Sequence, residues 1–296
     1  MNFRPSKAQG LSAIAVVATM LSLATPSSAG PVFSSASYTS AVSFGDALFG
    51  TTMTIAFDGT NYWSTSGGSS GGDRYAQYNS SGGLISTYSP GLDFRSVFSN
   101  SSGDVFARAY ADNTIYMQSS PGVFAPSGVT LDGSAFDNSQ DQSSVVLNGP
   151  ETELIALNDN GVVRRWTLAG ASLASTNLVG WTGSENNYPR NRGIAAAGNY
   201  WFTLNDGVLS AWDSSSGARL DQTTLTGLGS GFDTNFSLSY ANGMIFAVTD
   251  AHDQWLGFNV GAFGGPEPSV PAPAALVLLG FGLLGLGAMR RNRTQI

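Results

Sequence analysis

Ile194-Ala-Ala-Ala-Gly-Asn-Tyr-Trp-Phe202 is two short apolar runs joined at Gly198-Asn199, a turn pair that admits left-handed backbone. The same design returns elsewhere in the chain. It occurs as Ile55-Ala-Phe-Asp-Gly-Thr-Asn-Tyr-Trp63 and Val97-Phe-Ser-Asn-Ser-Ser-Gly-Asp-Val-Phe106. It occurs again as Val146-Leu-Asn-Gly-Pro-Glu-Thr-Glu-Leu-Ile155 and Leu238-Ser-Tyr-Ala-Asn-Gly-Met-Ile-Phe246. The turn glycines Gly59, Gly103, Gly149, Gly198 and Gly243 stand 44, 46, 49 and 45 residues apart.

A period of that length fits one four-stranded propeller blade. Gly, Ser, Thr and Asn are abundant, apolar residues alternate in short runs, and no 12-residue window carries a helical stripe. A second turn follows each first one, with Asp112, Asp159, Asp206 and Asp250 in equivalent places, and a third strand follows that turn. Fourth strands are expected at 84–88, 123–131, 173–179 and 220–225. The fifth repeat lacks one, while residues 32–42 before the first repeat form a strand without a partner. The two gaps predict that the N-terminal strand closes the last blade of a five-bladed, all-β ring over residues 30–263, removing the open edges. The competing architecture is a β-sandwich or solenoid with accidental periodicity. Leu209-Ser-Ala-Trp-Asp-Ser-Ser-Ser-Gly217 resembles blades of quinoprotein-like and WD-like propellers.

Both ends of the chain read as addresses. Arg4 and Lys7, the apolar run 11–23 and the small residues Ser27-Ser28-Ala29 make residues 1–29 a secretory signal peptide. At the other end, residues 264–273 are a Pro/Gly linker ending in Val270-Pro271-Ala272-Pro273. Residues 274–289 are an uncharged transmembrane span of about 24 Å as a helix, and residues 290–296 are a basic cytoplasmic tail with Arg290, Arg291 and Arg293. This tripartite tail resembles the PEP-CTERM class of bacterial sorting signals, in the variants whose motif carries an apolar residue, here Ala272, in place of Glu. The resemblance implies an exosortase-type processing enzyme as partner and removal of the span. It implies delivery to the cell surface or extracellular matrix of a Gram-negative bacterium that makes exopolysaccharide. An ordinary C-terminal membrane anchor is the plainer reading of the same residues.

Charge and composition narrow the function. Of 13 Lys+Arg, five lie in the two terminal segments, leaving eight against 20 Asp+Glu, a balance of −12 that disfavours nucleic acid and anionic lipid. The absence of cysteine excludes disulfides and thiol chemistry. One histidine, His252, stands in the polar turn Thr249-Asp250-Ala251-His252-Asp253-Gln254, and no nucleophile elbow accompanies it. No cofactor is called for. Calcium has two candidate oxygen clusters, Asp137-Asn138-Ser139-Gln140-Asp141 and Asn158-Asp159-Asn160, neither completing a calcium loop.

No catalytic residue is assigned. Carboxylates are the remaining route to catalysis, since a glycosidase needs two at defined spacing. Asp58 and Asp93 flank inner strands, and the second-turn aspartates have an ordinary use in capping hairpins. Trp63 with Trp201, and Trp166 with Trp212, fall on matched strands and belong to packing between blades, whereas Trp181 lies in a polar interblade linker and is the candidate ligand contact. The reading is a non-enzymatic matrix or exopolysaccharide-binding protein. The alternatives are a carboxylate glycosidase or lyase, and a surface-coat protein without a specific ligand.

Overall fold

The computed structural model describes residues 31–48, 50–67, 74–133, 143–158, 160–181, 193–229, 232–261 and 263. The expected signal peptide, sorting motif, transmembrane span and basic tail lie outside these residues, as do Asp159 and the cluster 137–141. Among the described residues no helix is long and apolar enough to cross a membrane.

The chain is a five-bladed β-propeller. Two short strands, β1 (Ser37–Tyr38) and β2 (Val42–Gly45), precede the first blade. Blade one contains β3 (Thr51–Phe57), β4 (Asn61–Gly67), β5 (Arg74–Asn79) and β6 (Leu84–Tyr88). Blade two contains β7 (Phe94–Ser99), β8 (Val105–Ala109), β9 (Thr114–Ser120) and β10 (Val123–Thr130). Blade three has β11 (Val145–Leu147), β12 (Glu153–Leu157), β13 (Val162–Thr167) and β14 (Thr176–Asn177). Blade four has β15 (Ala195–Ala197), β16 (Tyr200–Asn205), β17 (Val208–Asp213) and β18 (Arg219–Leu225). After one helical turn, α1 (Phe232–Phe236), blade five is made of β19 (Ser239–Ala241), β20 (Met244–Val248) and β21 (Gln254–Phe258).

The first strand of each blade is innermost, and these five strands touch in turn around a closed ring. Each blade is packed on both faces, so middle strands such as β4 are buried at nearly every position, while the outermost β10 is largely exposed. Trp63, Trp166, Trp201, Trp212 and Trp255 all lie buried between blades.

Small hydroxyl side chains stitch the inner strands together. The Val97 N–H donates to Thr54 Oγ1 at 2.6 Å, and the hydroxyl donates back to the Val97 carbonyl at 2.8 Å. Val145 N–H donates to Ser96 Oγ (3.1 Å), Ile194 N–H to Ser144 Oγ (3.3 Å), and Ile55 N–H to Ser239 Oγ (3.0 Å). The junction between blades four and five is different. There Gly193 lies so close to the Asn235 carbonyl that a Cβ would come within 2.1 Å of its oxygen.

The ring closes through the N-terminal segment as expected, but the closing strand takes only the end of the expected 32–42 and continues past it. The closing strand is β2, antiparallel to β21 with Phe44 opposite Trp255. Upstream, β1 adds to blade four instead, parallel to β18, and makes it five-stranded. The segment bends between the two strands and so serves two blades. Phe44 carries the seam, with ring centroids 5.1 Å from Tyr78, 5.6 Å from Tyr62 and 6.2 Å from Phe246.

Two further details depart from the repeat. Gly59, Gly103, Gly198 and Gly243 have positive φ, but in blade three that conformation falls on Glu151 (φ 57) and not on Gly149. Gly149 is needed for another reason: a Cβ there would meet the Gly198 oxygen at 2.0 Å. The fourth strand of blade three shrinks to Thr176–Asn177, within the expected 173–179.

Candidate functional site

Among the cavities formed by the described residues, two lie at opposite ends of β16. The axial cavity, of about 280 Å³, opens where the first turns of the blades gather around the ring axis. Its wall is made of inner-strand residues, among them Ile55, Val97, Val146, Ala195 and Ser239, with Tyr240 and Phe263 as an aromatic side. Glu151 is the carboxylate at this rim, and its Oε2 accepts a hydrogen bond from Ser101 Oγ at 2.8 Å.

The acids that flank the inner strands are engaged elsewhere. Asp58 accepts from the N–H groups of Thr60 and Asn61 (2.8 and 2.7 Å) and from Trp63 Nε1 (2.6 Å). Asp93 pairs with Arg95 at 2.6 Å, and the guanidinium also covers the Tyr110 ring at 4.6 Å. No two carboxylates line the axial cavity among the described residues. A retaining or inverting pair would need two facing acids there.

The second cavity is a cleft of about 370 Å³ beside blade four. It lies at the far end of β16 from the axial cavity, near the two-residue turn Asp206-Gly207. Both turn residues have positive φ (48 and 75), the conformation that an Asp-Gly hairpin supplies. Thr203 faces Ser210 across the ladder and Ser210 faces Gln222, so hydroxyls and an amide form one polar rung. Gln222 Nε2 donates to Ser210 Oγ at 2.9 Å, and Trp212 Nε1 donates to Thr203 Oγ1 at 2.9 Å. Asn205 and Asp206 continue the wall toward the turn, and Trp181 and Val208 complete the lining.

Trp181 is half-buried. One flank rests against the turn of blade three, where a Cβ on Gly161 would come within 2.3 Å of its Cγ. Its ring lies 6.0 Å from that of Trp212. The indole is therefore fixed in position while still lining the cleft.

Solved structures place this architecture among known propellers. A glutaminyl cyclase from Myxococcus xanthus superimposes with a TM-score of 0.53 at 9% identity, over 75% of this chain and 97% of that one. A streptogramin B lyase does so with a TM-score of 0.46 at 12% identity, over 73% and 97%. The chain shares the cyclase's fold. No protein-family model and no curated protein matches the sequence.

The remaining sequence candidates have structural duties. Asp112 accepts from Thr114 N–H (2.8 Å) and from the Tyr116 hydroxyl (2.6 Å). Burial opposes ionisation of Asp112, but these bonds outweigh it and hold the carboxyl below the usual range; in return the Tyr116 phenol is pushed up to about 12, first by its bond to Asp112. Asn158 caps its hairpin by accepting from the N–H groups of Asn160 and Val162. Asp250 is held through its own N–H, which donates to the Leu228 carbonyl at 2.8 Å. His252 sits half-buried in its turn with φ 54. Among the described residues no three His, Asp or Glu side chains gather as metal ligands.

Sequence reasoning missed one buried acid. Asp46, 1% exposed, lies beneath the closing seam and accepts from the Thr52 hydroxyl, from Leu48 N–H (3.2 Å) and from the Tyr78 hydroxyl (3.3 Å). Burial raises its pKa above 3.8 in spite of these donors. The hint was an acid just after the closing strand, but nothing local shows that the site is covered.

Proposed function

We propose that this chain is an exported, surface-sorted propeller that works by binding in the extracellular matrix or exopolysaccharide layer. The observation that carries the reading is the wall of the axial cavity, which presents aliphatic side chains, hydroxyls and aromatic rings around one rim carboxylate. That lining suits contact with a ligand, and among the described residues it offers no second acid opposite Glu151 for glycosidic cleavage. The −12 balance between the terminal segments favours an uncharged partner over an anionic one. Delivery by an exosortase-type enzyme follows from the tail Val270-Pro271-Ala272-Pro273 with its arginine terminus.

Incubation of the full-length chain with an array of bacterial polysaccharides, scoring retention and reducing-end release together, tests the proposal. Retention without release is the expected result. Release that disappears in Glu151→Gln would replace the binding reading with a carboxylate enzyme.

A further inference from the structure

We infer that the cleft beside blade four is a sugar subsite for an uncharged pyranose, stacked on Trp181 and hydrogen-bonded by Asn205, Asp206 and Gln222. The inference rests on the binding reading above and assigns that binding to a place away from the axial cavity. A pyranose has an apolar C–H face and a rim of hydroxyls, so its site must join a flat apolar surface to donors and acceptors. The cleft joins them, for its lining holds an indole together with two amides, a carboxylate and two hydroxyls.

Thr203 and Ser210 form the rung two steps in from the β16–β17 turn, and both are only 6% exposed. Blade packing tolerates one hydroxyl at this rung, as with Ser64 opposite Ala76 in blade one, whereas blade four sets two there. The matching rung of blade five is Ala247 opposite Leu256, which is buried and apolar. Polar groups at such a rung carry a desolvation cost that an apolar pair avoids. In blade four they instead lead outward from the Trp201–Trp212 pair to an open cavity. Trp181 is held between the Gly161 turn and Trp212, so little side-chain freedom is lost when a ring stacks on it. Asp206 accepts hydroxyl donors and disfavours an anionic sugar in the same place.

The test uses the full-length chain in a zwitterionic detergent, which keeps sugar headgroups out of the sample. It is titrated with dextran, cellohexaose and yeast mannan as neutral probes and with alginate as the anionic one. Binding to at least one neutral probe is expected, with Trp181→Ala and Gln222→Ala each weakening it about tenfold. Trp181→Phe should recover much of the loss. Gln222 is exposed, so its variant separates lost binding from lost fold. Affinity for the neutral probe unchanged in folded Trp181→Ala and Gln222→Ala overturns the subsite and leaves the binding reading standing. Binding of alginate alone, or of no probe by the unaltered chain, overturns both.

Discussion

Replacing Phe44 by alanine should open the ring at its seam. Phe44 is 7% exposed and its ring meets those of Tyr62, Tyr78 and Phe246, so one side chain joins the closing strand to blades one and five. A Cβ on Gly82 would come within 2.4 Å of it, so the ring is also pressed against the β5–β6 turn. Truncating a buried phenylalanine costs about 3–5 kcal/mol, because the lost transfer energy is joined by the cavity left behind. Against a total stability of about 5–15 kcal/mol, that is a large share. Urea unfolding followed by tryptophan fluorescence reads the loss directly, since Trp255 lies opposite Phe44 in the ladder. With a slope of about 3 kcal/mol/M, the midpoint should fall by about 1–1.7 M. Ile85→Ala, 51% exposed on the outer strand of blade one, is the control and should stay within about 0.5 kcal/mol of the parent. A loss at Phe44 no larger than at Ile85 would refute the assignment of closure to this residue.

Gly193→Ala should cost about 1–3 kcal/mol by overpacking, because its Cβ meets a backbone carbonyl that cannot swing aside; a midpoint equal to the parent's would contradict the close approach of blades four and five. The buried Asp46 predicts a pH dependence of definite sign. Its folded pKa lies above the unfolded 3.8, so its contribution is fully present below 3.8 and is lost as pH rises through the folded value. The stability of the parent relative to Asp46→Asn should therefore increase as pH is lowered toward 3.8, measured by urea midpoints at a series of pH values. A difference independent of pH would show that Asp46 ionises as freely in the native chain as in the unfolded one.

The repeat was legible because a blade is a local object. Each turn glycine lies within a few residues of the strands it joins, and four of the five have the positive φ that a tight hairpin selects. Trp166 and Trp212 were legible for the same reason, since each takes the same rung of its blade, opposite Leu154 and Trp201. Trp63, by contrast, stands one register step from the place of Trp201, and it packs against blade two while Trp201 packs against blade three. Blade three misled because its longer turn moves the left-handed residue to Glu151, and no residue type marks that move. Closure by the N-terminal segment was foreseen, with the strand placed a few residues early. Residues 32–42 and Val42–Gly45 are equally strand-like, and what chooses between them is the fit of Phe44 against residues on two blades far along the chain. The hydroxyl stitching left a faint trace in Thr54, Ser96 and Ser144, one per repeat, yet a small polar residue in a strand gives no sign of the backbone group it will reach. Trp181 stood out for having no matched partner. Its companions Thr203 and Gln222 did not, because they acquire meaning only when the ladder of blade four sets them in one row.

The pairing of β2 with β21 also makes the fold a check on its own completeness. Residues 42–45 wait for residues 254–257, so the strands of all five blades must be synthesised before the ring can lock. A chain that stops early keeps an unpaired strand at one end and an unfinished blade at the other, two sticky edges that invite aggregation and proteolysis. The segment that resembles a sorting signal comes after β21 in the sequence. Any molecule long enough to carry that segment therefore already contains both strands of the closing pair.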